Sequence, residues 1–278
     1  MANTIDQTFI TDFDSEVHAA YQQFGSKLRN CVRVKSLNPG QVARFPTIGK
    51  GTATDKARNG DVVPMNPTHS YKEATATDKY APEYIDKLDD LKNNIEEKML
   101  YARAGANALG REVDSRLTTV MDAVTTNVVA DGATGLTVYK LLLAMSELNA
   151  KDVPDDGERW GVLGAQQWEE FLAIARITSA DYVTGMPTMK GTQVVNWRGI
   201  KWFYHSNLPV ASSIRSCFIF HKNSLGLAEN AKITTEINYV PQKAAYLVNS
   251  MMSCGAVVID EEGIVKISCS EAVTTALV

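Results

Sequence analysis

Ile95, Met99, Ala102, Ala106, Leu109, Val113, Leu117, Val120 and Val124 follow one another at steps of three or four. That spacing predicts one apolar stripe along a continuous helix. At 1.5 Å per residue the stripe makes a rod of roughly 45 Å. Gly105 and Gly110 fall inside it, weaken it by about 1 kcal/mol each relative to alanine, and offer a place to bend. Systematic charge pairing of the coiled-coil kind is absent, so the rod reads as a beam lying across a sheet. A second helical spacing runs through Ile10, Phe13, Val17, Ala20, Phe24 and Leu28, with Thr11 or Asp12 as the cap.

Between these helices the apolar pattern thins out. Residues 36–80 carry only nine large apolar side chains, and Gly40, Gly49, Gly51 and Gly60 crowd its middle. Asn59-Gly60 is a strong turn signal. Strand-like pieces flank the glycines at Cys31–Lys35, Val62–Met65 and Ser70–Thr77. The segment therefore reads as a long hairpin with a mobile tip. Isolated two-stranded ribbons are marginal in water and present open edges. It must lie on something, and a neighbouring subunit is the natural candidate.

After the long helix, Gly132–Gly135 break the chain and a mixed α/β stretch follows to about Ile237. Helices are expected at Thr137–Leu148 and Gln166–Arg176, and strands at Arg159–Leu163, Gln193–His205 and Cys217–His221. Lys243–Cys269 reads as β structure closing in a hairpin around Asp260-Glu261-Glu262-Gly263. Without an evident partner in the middle stretch, these last strands are expected back beside the long helix. The expected organisation is an arm at 1–35 and an extended loop at 36–80. One composite domain would come from 81–135 and 238–278, with 136–237 inserted in it.

Composition narrows the function. The 278 residues are 45% hydrophobic with a net charge of −4. A general nucleic-acid binder would carry a large cationic excess to neutralise phosphates. The acidic start MANTIDQTFITDFDSE is not a secretory signal, and no apolar run approaches the ~20 residues that span a bilayer. Cys31, Cys217, Cys254 and Cys269 lack metal-finger spacing and are expected as reduced thiols of a cytoplasmic product.

Catalytic motifs fail on inspection. IGKGT lacks the phosphate-binding pattern, because Arg44 stands where the first glycine belongs and Gly51 where the hydroxyl belongs. His18, His69, His205 and His221 are scattered without ligand spacing. Asp155-Asp156 and Glu169-Glu170 read as solvated pairs, and no nucleophile elbow appears. No enzyme activity, cofactor or metal is expected.

The order of parts resembles the major capsid proteins of tailed bacteriophages. These have the Hong Kong 97-type fold, shared with encapsulins and the herpesvirus shell floor. The resemblance spans nearly the whole chain. It is carried by Phe45-Pro46 through the GKG and NGDVVPMN segments, the Asp/Arg-studded helix, and LVNSMMSCGAVVIDEEGIVKI. It lies closest to the coat proteins of short-tailed phages.

The resemblance implies an α+β fold with an N-terminal arm, an extended β-hairpin loop and a spine helix with strands forming a peripheral domain. An α/β axial domain is inserted in it. It also implies hexamers and pentamers of an icosahedral head, enclosing double-stranded DNA without sequence-specific binding. A scaffolding protein, a portal and a cement or decoration protein are the implied partners, with no membrane. Assembly in the host bacterial cytoplasm and residence in the virion follow from it.

Charge fits such packing. Residues 31–80 hold eight Lys/Arg against four Asp/Glu, and residues 81–130 hold six against nine. Lys50, Lys56 and Arg58 at the loop tip are expected to meet Asp86, Asp89, Asp90, Glu96 or Glu97 of a neighbour. Such exposed pairs select register more than strength. The competing readings are an encapsulin-like nanocompartment shell, a tail-tube protein, and a nucleotide enzyme using Gly49-Lys50-Gly51.

Overall fold

The computed structural model describes residues 22–37, 40–88, 97–174 and 194–272. The expected beam is the helix α1, Glu97–Asp122, about 39 Å long. Its buried stripe is Leu109, Val113, Leu117 and Met121, while Met99 is exposed. Thus the stripe leaves α1 through Met121 rather than Val120, because four-residue steps track the buried face over the last turn. The two glycines also stand where neighbours come close. A Cβ on Gly105 would stand 2.7 Å from Ser250 Oγ, and one on Gly110 would stand 2.5 Å from the Gly25 carbonyl carbon. At Gly105 the close neighbour is a side chain, and at Gly110 it is another backbone.

Strands β1 (Arg33–Ser36), β4 (Thr77–Asp86), β11 (Leu225–Val240) and β12 (Ala245–Val258) form one sheet in the order β1-β11-β12-β4. Helix α1 is tied to this sheet through Arg116 and Glu112. Arg116 Nη1 donates to the Cys254 carbonyl at 2.6 Å, and Lys79 of β4 pairs with Glu112 at 3.0 Å.

The second sheet is built on β10 (Ile214–His221), which pairs on one side with β6 (Arg159–Leu163) and on the other with β13 (Ile264–Ser270). Strand β8 (Ile200–Tyr204) continues it beside β6, and β7 (Val194–Trp197) beyond that. The short strands β5 (Val128–Val129) and β9 (Val210–Ala211) complete it. Helices α2 (Val138–Ala150), capped by the Thr137 side chain, and α3 (Ala165–Ala173) belong to the same stretch of chain. The buried Lys140 amine donates to the carbonyls of Thr134, Gly135 and Ser268 at 2.8–3.1 Å. That satisfies a charge water cannot reach.

Several expectations change. The closing hairpin does find a partner in the middle stretch, since β13 pairs with β10 over seven residues. Its apolar side chains Ile264, Val265, Ile267 and Cys269 are fully buried there; consecutive residues point to opposite faces, so both faces of the strand are covered. Gly255 lies within β12. Of the helix expected at 10–28, residues 22–28 are not helical and the rest lies outside the described residues. Val62–Met65 is not a strand. Glu170 is buried, not solvated, and accepts the Leu136 backbone N–H. All four cysteines are free and buried. Burial pushes the Cys31 thiol up to about 12. The Cys217 hydrogen bond and burial raise Cys269.

Candidate subunit interface

The loop is a hairpin of β2 (Val42–Ile48) and β3 (His69–Thr75), paired from Val42↔Thr75 to Ile48↔His69. Its base follows strict alternation: Ala43 and Phe45 are buried while Val42, Arg44 and Pro46 are exposed. The buried side forms a small core of its own with Leu37, Ala74, Ala76, Ala228 and Ile259. The base therefore lies on its own chain, not on a neighbour. Two glycines permit it. A Cβ on Gly226 would meet the Phe45 ring at 2.8 Å, and one on Gly255 would overlap the Thr75 carbonyl.

Beyond Ile48 the ribbon leaves this support. The Gly49 N–H donates to the Thr68 carbonyl at 2.8 Å, and Thr54 Oγ1 to the Val63 carbonyl at 3.2 Å. Asn59 turns the chain at φ 66°, with the Gly60 N–H closing on the Ala57 carbonyl. Ile48, Val62, Val63 and Met65 are 53–73% exposed. Exposed apolar side chains gathered on one ribbon make it the candidate for contact with another chain.

The structure treats the expected charges differently from one another. Lys50 is already partnered within its own chain: its amine meets Glu262 Oε2 at 2.8 Å, which holds the Glu262 carboxyl below its ordinary range. The reason is geometric, since the docked base carries Lys50 to the turn at Glu261–Gly263. Asn127 braces that turn by donating to the carbonyls of Glu261 and Ile264 at 3.1 and 3.0 Å. Lys56 and Arg58 are exposed and make no ion pair among the described residues. Asp86 ends β4, exposed, its carboxylate accepting the Leu88 N–H at 2.8 Å. Glu97 opens α1, whereas Asp89, Asp90 and Glu96 lie outside the described residues.

Sequence reasoning missed a buried junction. Asp114 of α1 is wholly buried. Its Oδ2 accepts from Gln23 Nε2 at 2.5 Å, from the Lys27 N–H at 3.0 Å and from His205 Nε2 at 2.9 Å. Its Oδ1 accepts from Ser26 Oγ and from the Leu28 N–H at 3.1 Å. The Asn207 N–H donates to His205 Nδ1 at 3.2 Å, so the hydrogen on that ring sits on Nε2, facing Asp114. Burial by itself would raise the Asp114 carboxyl. The bonds from His205, Ser26, Lys27 and Gln23 outweigh it and leave the pKa below the ordinary range. His221 repeats the arrangement with Asn223 and Asp156. The H-x-N string at His205–Asn207 and the Asp on the helix are too far apart in sequence to have been joined beforehand.

Among the described residues no three His, Cys, Asp or Glu gather as a metal site, and no helix is long and apolar enough to cross a membrane. A family model for phage capsid protein matches residues 5–271. No curated protein matches the chain. Among solved structures, the capsid of cyanophage P-SCSP1u is similar with a TM-score of 0.75 at 14% identity, over 95% of this chain and 93% of that one. Mycobacterium phage Che8 is similar at 0.73 and 18% identity, over 94% and 97%. The cyanophage Pam1 capsid subunit reaches 0.73 at 12% identity, over 98% of both. These likenesses show the fold, which is the Hong Kong 97-type. The chain belongs to the phage capsid protein family, and it is a structural subunit of a virion shell rather than an enzyme.

Proposed function

We propose that the chain closes into hexamers and pentamers of an icosahedral head around double-stranded DNA, as the major capsid protein of a phage of the short-tailed type. The observation that carries this is the ribbon 48–65. It is apolar, exposed and mounted on a hairpin whose base is anchored by Phe45. An anchored projection binds a neighbour without first losing the entropy of a free loop. One subunit's ribbon on the next is a head-to-tail contact, the kind that closes rings.

Lys56 and Arg58 supply free positive charge for acidic groups of the adjacent copy, among them Asp86, Asp89, Asp90, Glu96 and Glu97. The sheet β1-β11-β12-β4 with α1 serves as the peripheral unit, and the sheet around β10, closed by β13, as the axial one. A scaffolding protein and a portal are the partners this role calls for, a cement protein is an optional addition, and assembly takes place in the bacterial cytoplasm. A net charge of −4 suits a wall that encloses DNA without binding it. The phage family match favours this over a nanocompartment shell. Electron microscopy of the purified chain, with and without its scaffold, should show closed shells. Monomers alone under every condition, or stacked tubes, would sink the reading.

A further inference from the structure

Lys140 of α2 and Glu170 of α3 are both buried, at 5% and 8% exposure. Neither makes a direct ion pair among the described residues. A buried charge left without compensation is strongly destabilising. What the two side chains meet instead is the same peptide group. The Lys140 amine donates to the Gly135 carbonyl at 2.9 Å, and the Leu136 N–H donates to Glu170 Oε2 at 2.5 Å. That carbonyl and that N–H are the two ends of one planar unit. Its oxygen faces the cation and its hydrogen faces the anion, so each charge is met in the favourable sense.

The carboxylate relies on this contact. Glu170 Oε1 has no hydrogen-bond partner among the described residues. A Cβ on Gly135 would collide with the Glu170 carboxylate. Position 135 is therefore bare where the anion has to reach the backbone.

The arrangement also reaches the closing strand. Lys140 donates to the carbonyls of Thr134 and Ser268 at 2.8 and 3.1 Å, and the Ser270 N–H donates to the Thr134 carbonyl at 3.0 Å. Ser268 and Ser270 belong to β13, and Ser268 lies 128 positions from Lys140.

We infer that Lys140 and Glu170 act as one buried ion pair relayed through the Gly135–Leu136 peptide, and that this pair locks β13 to α2 and α3. Each charge is needed because the other is there. The inference goes beyond the shell-subunit reading and is tested on the full chain in solution, whether or not shells form.

A double-mutant cycle on the melting temperature reads the coupling. Glu170→Gln keeps an acceptor for the Leu136 N–H and removes the negative charge, while Lys140→Met removes the positive one. Each alone should lower the midpoint by about 5 °C or more, because it leaves one buried charge uncompensated. The double variant should lose clearly less than the two losses added together. Losses that add, or a Glu170→Gln chain that melts like the wild type, overturn the inference.

Amide exchange gives a second readout. In Lys140→Met the Leu136 amide should exchange about tenfold faster or more while the β10 amides keep their rates. Lys140 does not touch that N–H, so only the relay carries the effect, and an unchanged rate overturns the inference. If Lys140→Met does not fold, the wild-type chain decides. Its Leu136 amide should exchange as slowly as those of β10, and the rate of an exposed turn overturns the inference.

Discussion

The base and the tip of one hairpin share a strand pair but meet opposite fates. At the base, every second side chain is small or flat and turned to the chain's own sheet: Ala43, Phe45, Ala74 and Ala76. At the tip, Ile48, Val62, Val63 and Met65 are comparably apolar and find no sheet beneath them. What separates the two is the surface available, not hydrophobicity. Gly226 and Gly255 clear a bed for the base. The ribbon beyond Gly49 has outrun it. Burial within one chain yields stability, and burial deferred to a partner yields assembly.

Removing the anchor should have the largest effect. Phe45→Ala should cost about 3–5 kcal/mol in urea unfolding, the range for a buried aromatic truncated to alanine. A loss near zero would mean that the base is not docked in solution. Obstructing the bed from the other side should cost less. Gly226→Ala places a methyl against the Phe45 ring and should destabilise by about 1–3 kcal/mol; adding Phe45→Leu should recover part of it, and independent, additive losses would contradict the contact.

The tip should behave in the opposite way. Replacing Val62, Val63 and Met65 together by serine should move the unfolding midpoint by less than about 0.5 kcal/mol, while closed shells disappear from electron micrographs. Shells of normal yield would remove the tip from the interface.

The smallest effect belongs to the Lys50–Glu262 tie, which joins the two regions. Lys50→Ala should leave the unfolding midpoint at the wild-type value, because exposed pairs contribute little. It should nevertheless speed tryptic cleavage at Lys56 and Arg58. Because Glu262 sits below its ordinary pKa, its tie is complete above the carboxylate range and is lost as pH falls through the folded pKa. The cleavage rate of Glu262→Gln relative to wild type, measured at each pH with a protease active there, should therefore exceed one at neutral pH and fall to one as pH drops through the carboxylate range. Equal rates for both proteins at all pH values would argue against the tie.

Much of this was legible in residue order. Strand β6 occupies Arg159–Leu163 as its apolar run suggested, Thr137 caps α2, and Asp260 opens the tight turn by accepting the Glu262 N–H. These features depend on neighbours a few positions away. The Asp114 junction was not legible, because its donors come from residues 23–28 and from His205, 86 to 91 positions distant. Nothing in a single Asp on a helix announces five donors. The pairing of Lys50 with Glu262, 212 positions apart, was hidden for the same reason.

The sequence by itself determined the helical beam, the hairpin and its turn, the closing strands and the order in which they come. Periodicity and turn chemistry act over a few residues, so these elements are legible before the packing is known. Only the tertiary structure decided that β13 joins β10 and that close neighbours stand beside Gly105 and Gly110. It alone showed that half of an apolar-poor loop rests on its own chain while the other half stays exposed. Such choices depend on which surfaces remain uncovered once the chain has packed, and that is a property of the whole.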